Sequence, residues 1–153
     1  MTTILNKTEC DAIINRINKL TPDTKGFWGK MTVNEMLCHT ADVLRDILGI
    51  RQTEPVTPVE MRPQIIAMVL TENEWDKNLQ TFPPYLQGEG GGGTKPTHFD
   101  TDKIILLDLV YRFYNTAPEY TFFPHAGLGI LTRDEFGKFI WKHTDHHLRE
   151  FGV

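Results

Sequence analysis

Three histidines crowd the C-terminal stretch 131–153, LTRDEFGKFIWKHTDHHLREFGV, and two of them, His143 and His147, stand one helical turn apart. Imidazoles at i and i+4 on a helix converge on one point beside its axis, the geometry in which a helical pair holds a first-row divalent ion. At about 100° per residue, Phe136, Ile140, His143, His147 and Phe151 fall within roughly 60° of one another, so the pair shares the buried stripe. His146 is turned about 80° aside and reads as a flank or interface residue. Alone, the pair reads equally well as two polar groups on a partly wet face; a third ligand from elsewhere decides. The spacing also equals that of the zinc-protease motif H-E-x-x-H, but Thr144 stands where its glutamate belongs. Asp145 points about 160–200° from the ligand face, so protease chemistry is excluded.

The helix that positions this pair starts at a capping box, Thr132 with Glu135. A second box, Thr32-Val-Asn-Glu35, opens a helix running to about Leu48, with Gly49 as its left-handed C-terminal residue. Its apolar stripe is Val33, Met36, Leu37, Val43, Leu44, Ile47 and Leu48. His39 sits at the edge of that stripe, with Glu35, Asp42 and Asp46 on its other side within about 60°. There a histidine reaches into a bundle while a carboxylate holds its second ring nitrogen, the usual support of a ligand imidazole. Read blandly, it is a surface histidine paired with Asp42. With His143 and His147 it offers three neutral nitrogen ligands from two helices.

The other elements form a frame around these two helices. Thr8, Glu9 and Asp11 suit a helix start, and Ile13, Ile14, Ile17 and Leu20 recur at helical spacing, giving a first helix over about 9–20. Phe27 and Trp28, in the connection 21–31, are expected to pack against the bundle end, since burial is worth about 1.5–3 kcal/mol for each. Residues 50–61 read as a loop, and Pro63 suits the first turn of a third helix over about 62–73. The segment 82–98, with Gly88-Glu-Gly-Gly-Gly-Gly93, cannot be helix and is expected to be a mobile crossover. It lacks the spacing of a phosphate loop. Asp100 is expected to cap a helix over about 101–115, apolar around more than half its circumference and therefore central. The loop 116–131 carries His125 next to Pro124; such a histidine is commonly solvated, yet the loop leads into the His-bearing helix, so a pocket role is open to it. The fold class is all-α, an antiparallel four-helix bundle with one long crossover, in a single domain spanning 1–153.

Composition narrows the partners. With 40% hydrophobic and 24% charged residues, the 153-residue chain can bury one sizeable core. A net charge of -4 and a pI near 5.8 give no basic footprint for nucleic acid or an anionic membrane. Cys10 and Cys38 sit in separate helical patterns without CxxC spacing, so neither a disulfide framework nor a thiol-redox motif is suggested, and the N-terminal stretch has no signal-peptide core; a reducing cytoplasm is expected.

The segment Thr32-Val-Asn-Glu-Met-Leu-Cys-His39, together with Pro124-His-Ala-Gly-Leu-Gly-Ile-Leu-Thr132 and Lys142-His-Thr-Asp-His-His-Leu-Arg-Glu150, resembles the DinB/YfiT-like superfamily of four-helix-bundle metalloproteins, and in particular an uncharacterised branch of it. The resemblance spans nearly the whole chain in element order, with its specific part in 28–49 and 124–152. It implies a metal held by His39, His143 and His147, the pair that facing selects over His146 among them. Characterised members are thiol-dependent transferases or isomerases using small thiols such as mycothiol, bacillithiol or glutathione, and homodimers are common. Many relatives have Gln where this chain has Glu150, within about 60° of His147. Glu150 therefore stands as a fourth ligand, a hydrogen-bond acceptor for a ligand histidine, an acid/base group or a helix-end surface charge.

Three imidazoles leave one coordination position open on a divalent ion, for water or a thiolate. Metal-assisted hydrolysis and metal-activated thiol transfer are both accessible, with Glu150, His146, His125 and Asp42 as candidates for proton transfer. An all-imidazole site suits zinc or nickel first, and also iron or copper. The competing class is a non-catalytic dimeric binding module, its metal either absent or closed in by Glu150, Asp42 or Cys38. A third reading is a metal-free, pH-sensitive polar cluster.

Overall fold

A computed structural model describes residues 1–153 and contains five α-helices and no strand beyond a single bridge between His125 and Gly129. The helices are α1 (Lys7–Lys19), α2 (Val33–Ile47), α3 (Arg62–Val69), α4 (Phe99–Tyr114) and α5 (Arg133–Glu150). Single 3-10 turns occur at Val59–Met61 and Pro83–Tyr85. Four helices close a ring: α1 and α2 each pack on both α4 and α5. That is bundle packing, and its centre holds Ile13, Ile17, Met36, Leu37, Leu44, Leu106, Phe113 and Phe136, all fully buried. No helix is long and apolar enough to cross a membrane.

Local chemistry sets the helix ends. Both capping boxes form, with Thr32 and Thr132 accepting from the N–H of Glu35 and Glu135 and receiving the carboxylates in return. α1 begins earlier than Thr8 suggests, because the Asn6 side chain accepts from the N–H groups of Thr8 and Glu9 at 2.9 and 3.3 Å. α3 stops at Val69 instead of about 73, where the Trp75 indole N–H takes the Val69 carbonyl at 3.0 Å. α4 starts at Phe99 with His98 as its cap residue; Asp100 does not cap it. No side chain caps this helix; Asp102 instead ties down the residue before the cap, accepting from the Thr97 N–H at 2.9 Å.

Two expectations about burial fail. α4 is not enclosed on all sides: Ile104 is 65% and Tyr111 61% exposed, since its ring neighbours α1 and α2 cover only the face with Leu106, Leu109, Val110 and Phe113. Phe27 is 78% exposed, because its backbone N–H bonds the Glu150 carbonyl at 2.7 Å and lays the ring over the C-terminal turn instead of between helices. Trp28 is half-buried and does pack, against His146. The glycine run does not hang free: Gly92 N–H bonds Pro83 and Gly93 N–H bonds Leu86, folding the segment back on the 3-10 turn. At the far end, Arg16 of α1 clamps α5 by bonding Asp145 at 2.6 Å and the Val153 carbonyl at 2.9 Å.

Candidate metal centre

The facing pair α2 and α5 brings His39, His143 and His147 together, with one donor nitrogen from each lying within 4.8 Å of the others. The Nε2 atoms of His39 and His143 are 3.0 Å apart. The three rings are mutual neighbours at centroid separations of 4.7–4.9 Å. The i, i+4 spacing on α5 and the position of His39 in the second turn of α2 produce this meeting; His146, as its angle implies, is not one of the three.

Hydrogen bonding fixes which nitrogens face inward. His39 Nδ1–H donates to the backbone carbonyl of Tyr85 at 2.8 Å, so its Nε2 carries a lone pair. His147 Nδ1–H donates to Glu150 Oε2 at 2.8 Å, which likewise frees Nε2 as a donor to a cation. His143 Nδ1 is enclosed without a partner. Without a metal, one proton between His39 Nε2 and His143 Nε2 satisfies their contact; a cation placed there replaces it. A tetrahedral zinc with imidazoles at ~2.0–2.1 Å spaces its nitrogens about 3.3 Å apart. The 3.0 Å pair and the 4.8 Å limit bracket that value. The three residues could hold a metal ion.

The proposed support for His39 needs correction. A backbone carbonyl holds its second nitrogen, not Asp42. Asp42, fully buried, is consumed by Arg45 at 2.8 Å, Arg51 at 2.7 Å and the Thr94 amide and hydroxyl at 2.6 Å each. It pins the crossover to α2 and does not line the cavity above the histidines. Glu150 is buried, which rules out a helix-end surface charge, and it supports His147. Gly29 makes room for it: a Cβ there would clash with Glu150 Oε1, and its φ of +76° suits glycine. Cys38 lies outside the cluster, its thiol pushed up to about 12 by burial.

A cavity of about 500 Å³ opens over the three histidines. The segment 69–88 supplies much of its wall, including Trp75, Phe82 and Tyr85, while α5 adds Phe139, His146 and Glu150. His146, turned to the flank of the triad, stands between Trp28 and Trp75 at 6.1 and 5.6 Å and forms part of the cavity wall. His125 is also on this wall. Sequence reasoning missed Tyr85, Trp75 and Gly29. The Pro83-Pro84 pair before Tyr85 signalled a turn, but no local pattern shows which carbonyl a folded turn presents to a distant histidine.

Burial keeps the imidazoles neutral, the form that binds metal. It lowers His39 to about 4, with help from His147, lowers His147 to about 3, and takes His143 well below its ordinary range. Burial also raises Glu150, so this hydrogen-bonded pair is driven toward its uncharged forms. These folded-state values lie below the ordinary 6.5 of the unfolded chain, which therefore takes up more protons once pH drops under that value. Stability of the metal-free protein is expected to be full above about pH 6.5 and to fall as pH drops toward 4, by up to about 1.4 kcal/mol per pH unit for each such histidine. Glu150 and Asp46, both raised by burial, work in the opposite sense, two groups against five histidines, since burial lowers His125 and His146 as well. Urea unfolding at about pH 7, 6 and 5 checks this; a flat or rising stability contradicts it.

Compared with protein-family models, with curated proteins and with solved structures, the chain matches none. The functional reading therefore rests on the site itself: an all-helical protein with three buried histidines that could hold a metal ion.

Proposed function

We propose that this chain is a DinB-like metalloprotein, an antiparallel four-helix bundle in which His39, His143 and His147 hold one divalent transition metal, zinc or nickel in the first place and iron as a further candidate. The observation that carries the reading is the convergence of three neutral imidazoles, two with lone pairs fixed inward by hydrogen bonds, at the floor of a cavity. The two carboxylates lining the cavity are engaged elsewhere, Glu35 by the Thr32 capping box and Glu150 by His147, so no fourth protein ligand is evident. An open position facing a cavity belongs to a catalytic site more than to a structural one. When bound, the metal supplies Lewis acidity and stabilises water or a small thiol in its deprotonated form. The chain's own residues keep the imidazoles oriented and largely exclude bulk water from them. The function proposed is a small-molecule reaction, thiol S-transfer or isomerisation with a low-molecular-weight thiol, or hydrolysis, in a cytoplasmic homodimer.

Elemental analysis of protein purified without an affinity tag or chelator tests the reading. About one equivalent of zinc, nickel or iron per chain is expected; no metal, even after reconstitution with zinc and nickel, overturns it. Support of His147 by Glu150 adds a second expectation. Glu150→Ala weakens metal binding by about 10–100-fold, the usual cost of losing such a partner. Glu150→Gln, which keeps an accepting oxygen, recovers most of that loss in a competition titration against a chromophoric chelator. Equal losses in the two variants would show that the carboxylate acts some other way.

A further inference from the structure

His125 lies outside the histidine triad yet is as buried as its members, and its two ring nitrogens have unlike surroundings. Nδ1 accepts from the backbone N–H groups of Gly127 and Leu128, both at 3.1 Å. An imidazole nitrogen that accepts cannot carry the proton, so the ring's hydrogen is fixed on Nε2. Burial lowers the ring's pKa to about 3, which keeps it neutral.

Its loop is locked in place. His125 and Gly129 exchange backbone bonds at 2.9 and 2.8 Å, and Ala126 N–H bonds the Tyr85 hydroxyl at 3.0 Å. That hydroxyl in turn donates to buried Asp46 at 2.7 Å. The backbone carbonyl of the same Tyr85 orients His39. One residue thus ties the His125 loop to a triad ligand.

Nε2–H has no hydrogen-bond partner in the protein. It is also not sealed off, unlike the enclosed and partnerless Nδ1 atoms of His143 and His146. The ring forms part of the cavity wall beside Phe82, Tyr85 and Phe139. Phe139 bridges it to the triad, edge-on to His125 at 5.2 Å and nearly parallel to His143 at 5.7 Å. A buried N–H left without a partner costs free energy unless something in the cavity accepts from it. The rings packed around it carry no carbonyl or carboxylate, and the Tyr85 hydroxyl and carbonyl are already engaged by Asp46, Ala126 and His39.

We propose that His125 binds the carbonyl oxygen of a small, apolar-bodied ligand through Nε2–H, holding that ligand among Phe82, Phe139 and Trp75 over the histidine triad. The ligand class is an aryl or alkyl carbonyl compound, an amide, ester or ketone, small enough for about 500 Å³. A neutral imidazole donor suits a carbonyl oxygen, and it stays a donor as negative charge develops there. This deepens the metal reading but stands on different atoms.

The test uses two probes that share a ring and a carbonyl. Benzohydroxamate also binds metal and is titrated into zinc-loaded protein; benzamide does not and is titrated into metal-free protein. Long-range proton–nitrogen spectra of labelled protein report the His125 tautomer directly. The expected results are a proton on Nε2 before addition, a downfield shift of Hε2 on binding either probe at millimolar concentration, and benzohydroxamate affinity about 10-fold weaker in His125→Phe, the loss of one hydrogen bond. Zinc content is unchanged in that variant, and His125→Gln, which restores a donor, recovers part of the affinity. A proton on Nδ1, zinc and benzohydroxamate bound with Hε2 unmoved, or no binding of either probe overturns the assignment. Failure of the metal reading looks different: no zinc is taken up, while benzamide still shifts Hε2.

Discussion

Replacing His143 with alanine is expected to abolish stoichiometric metal binding, whereas His146→Ala retains it. The two residues are neighbours on one helix and both are buried, so loss of burial or of helix propensity would affect them alike. They differ in where they point. His143 Nε2 is 3.0 Å from His39 Nε2, while His146 packs between two tryptophans. Removing one of three ligands costs more than the about 10–100-fold attached to an outer hydrogen-bond partner. His39→Ala should match His143→Ala although it lies on a different helix. The readout is metal content after dialysis of the reconstituted proteins, with thermal unfolding to confirm that each variant folds. Loss of metal in His146→Ala with retention in His143→Ala would overturn the facing geometry.

The second large effect is expected at Tyr85, far from the triad in sequence. Its ring is fully buried, and truncation to alanine should destabilise the protein by about 3–5 kcal/mol, as for other large buried aromatics. Tyr85→Phe separates packing from polarity. It keeps the ring and the carbonyl that orients His39 but strips one oxygen of Asp46, whose other oxygen stays 3.3 Å from Arg51, and the Ala126 amide of their partner. Leaving such buried groups unpaired costs about 1–3 kcal/mol. Metal affinity in Tyr85→Phe should change little, because the backbone carbonyl remains, whereas binding that depends on His125 should weaken as its loop loosens. Urea unfolding and a metal competition titration check the two halves; a Tyr85→Phe protein as stable as the parent would show that the hydroxyl's two bonds carry no net weight.

The parts of this molecule legible in the sequence are those where one local rule fixes the outcome. Two capping boxes set the starts of α2 and α5 to the residue, and the i, i+4 spacing with the helical angle separates His143 and His147 from His146 before any fold is known. The parts that were not legible depend on which distant groups meet. Asp42 faces the same way as His39 on a helical wheel, yet Arg51 and Thr94, brought in by the loop after α2 and by the crossover, claim it first. A Tyr85 carbonyl then takes the place of the expected carboxylate. Phe27 is apolar and large, but a single backbone bond to Glu150 decides that it lies outside. The cavity is the extreme case. Its wall comes largely from residues 69–88, a stretch without regular pattern, so its shape follows from tertiary contacts and not from periodicity.

X-ray absorption at the zinc edge of the reconstituted protein tests the central claim most directly, because it counts the imidazoles around the metal. Three histidine nitrogens at about 2.0–2.1 Å with one further light ligand is the expected result. A shell of oxygen ligands with at most one imidazole, or a sulfur ligand, would contradict a site built from His39, His143 and His147.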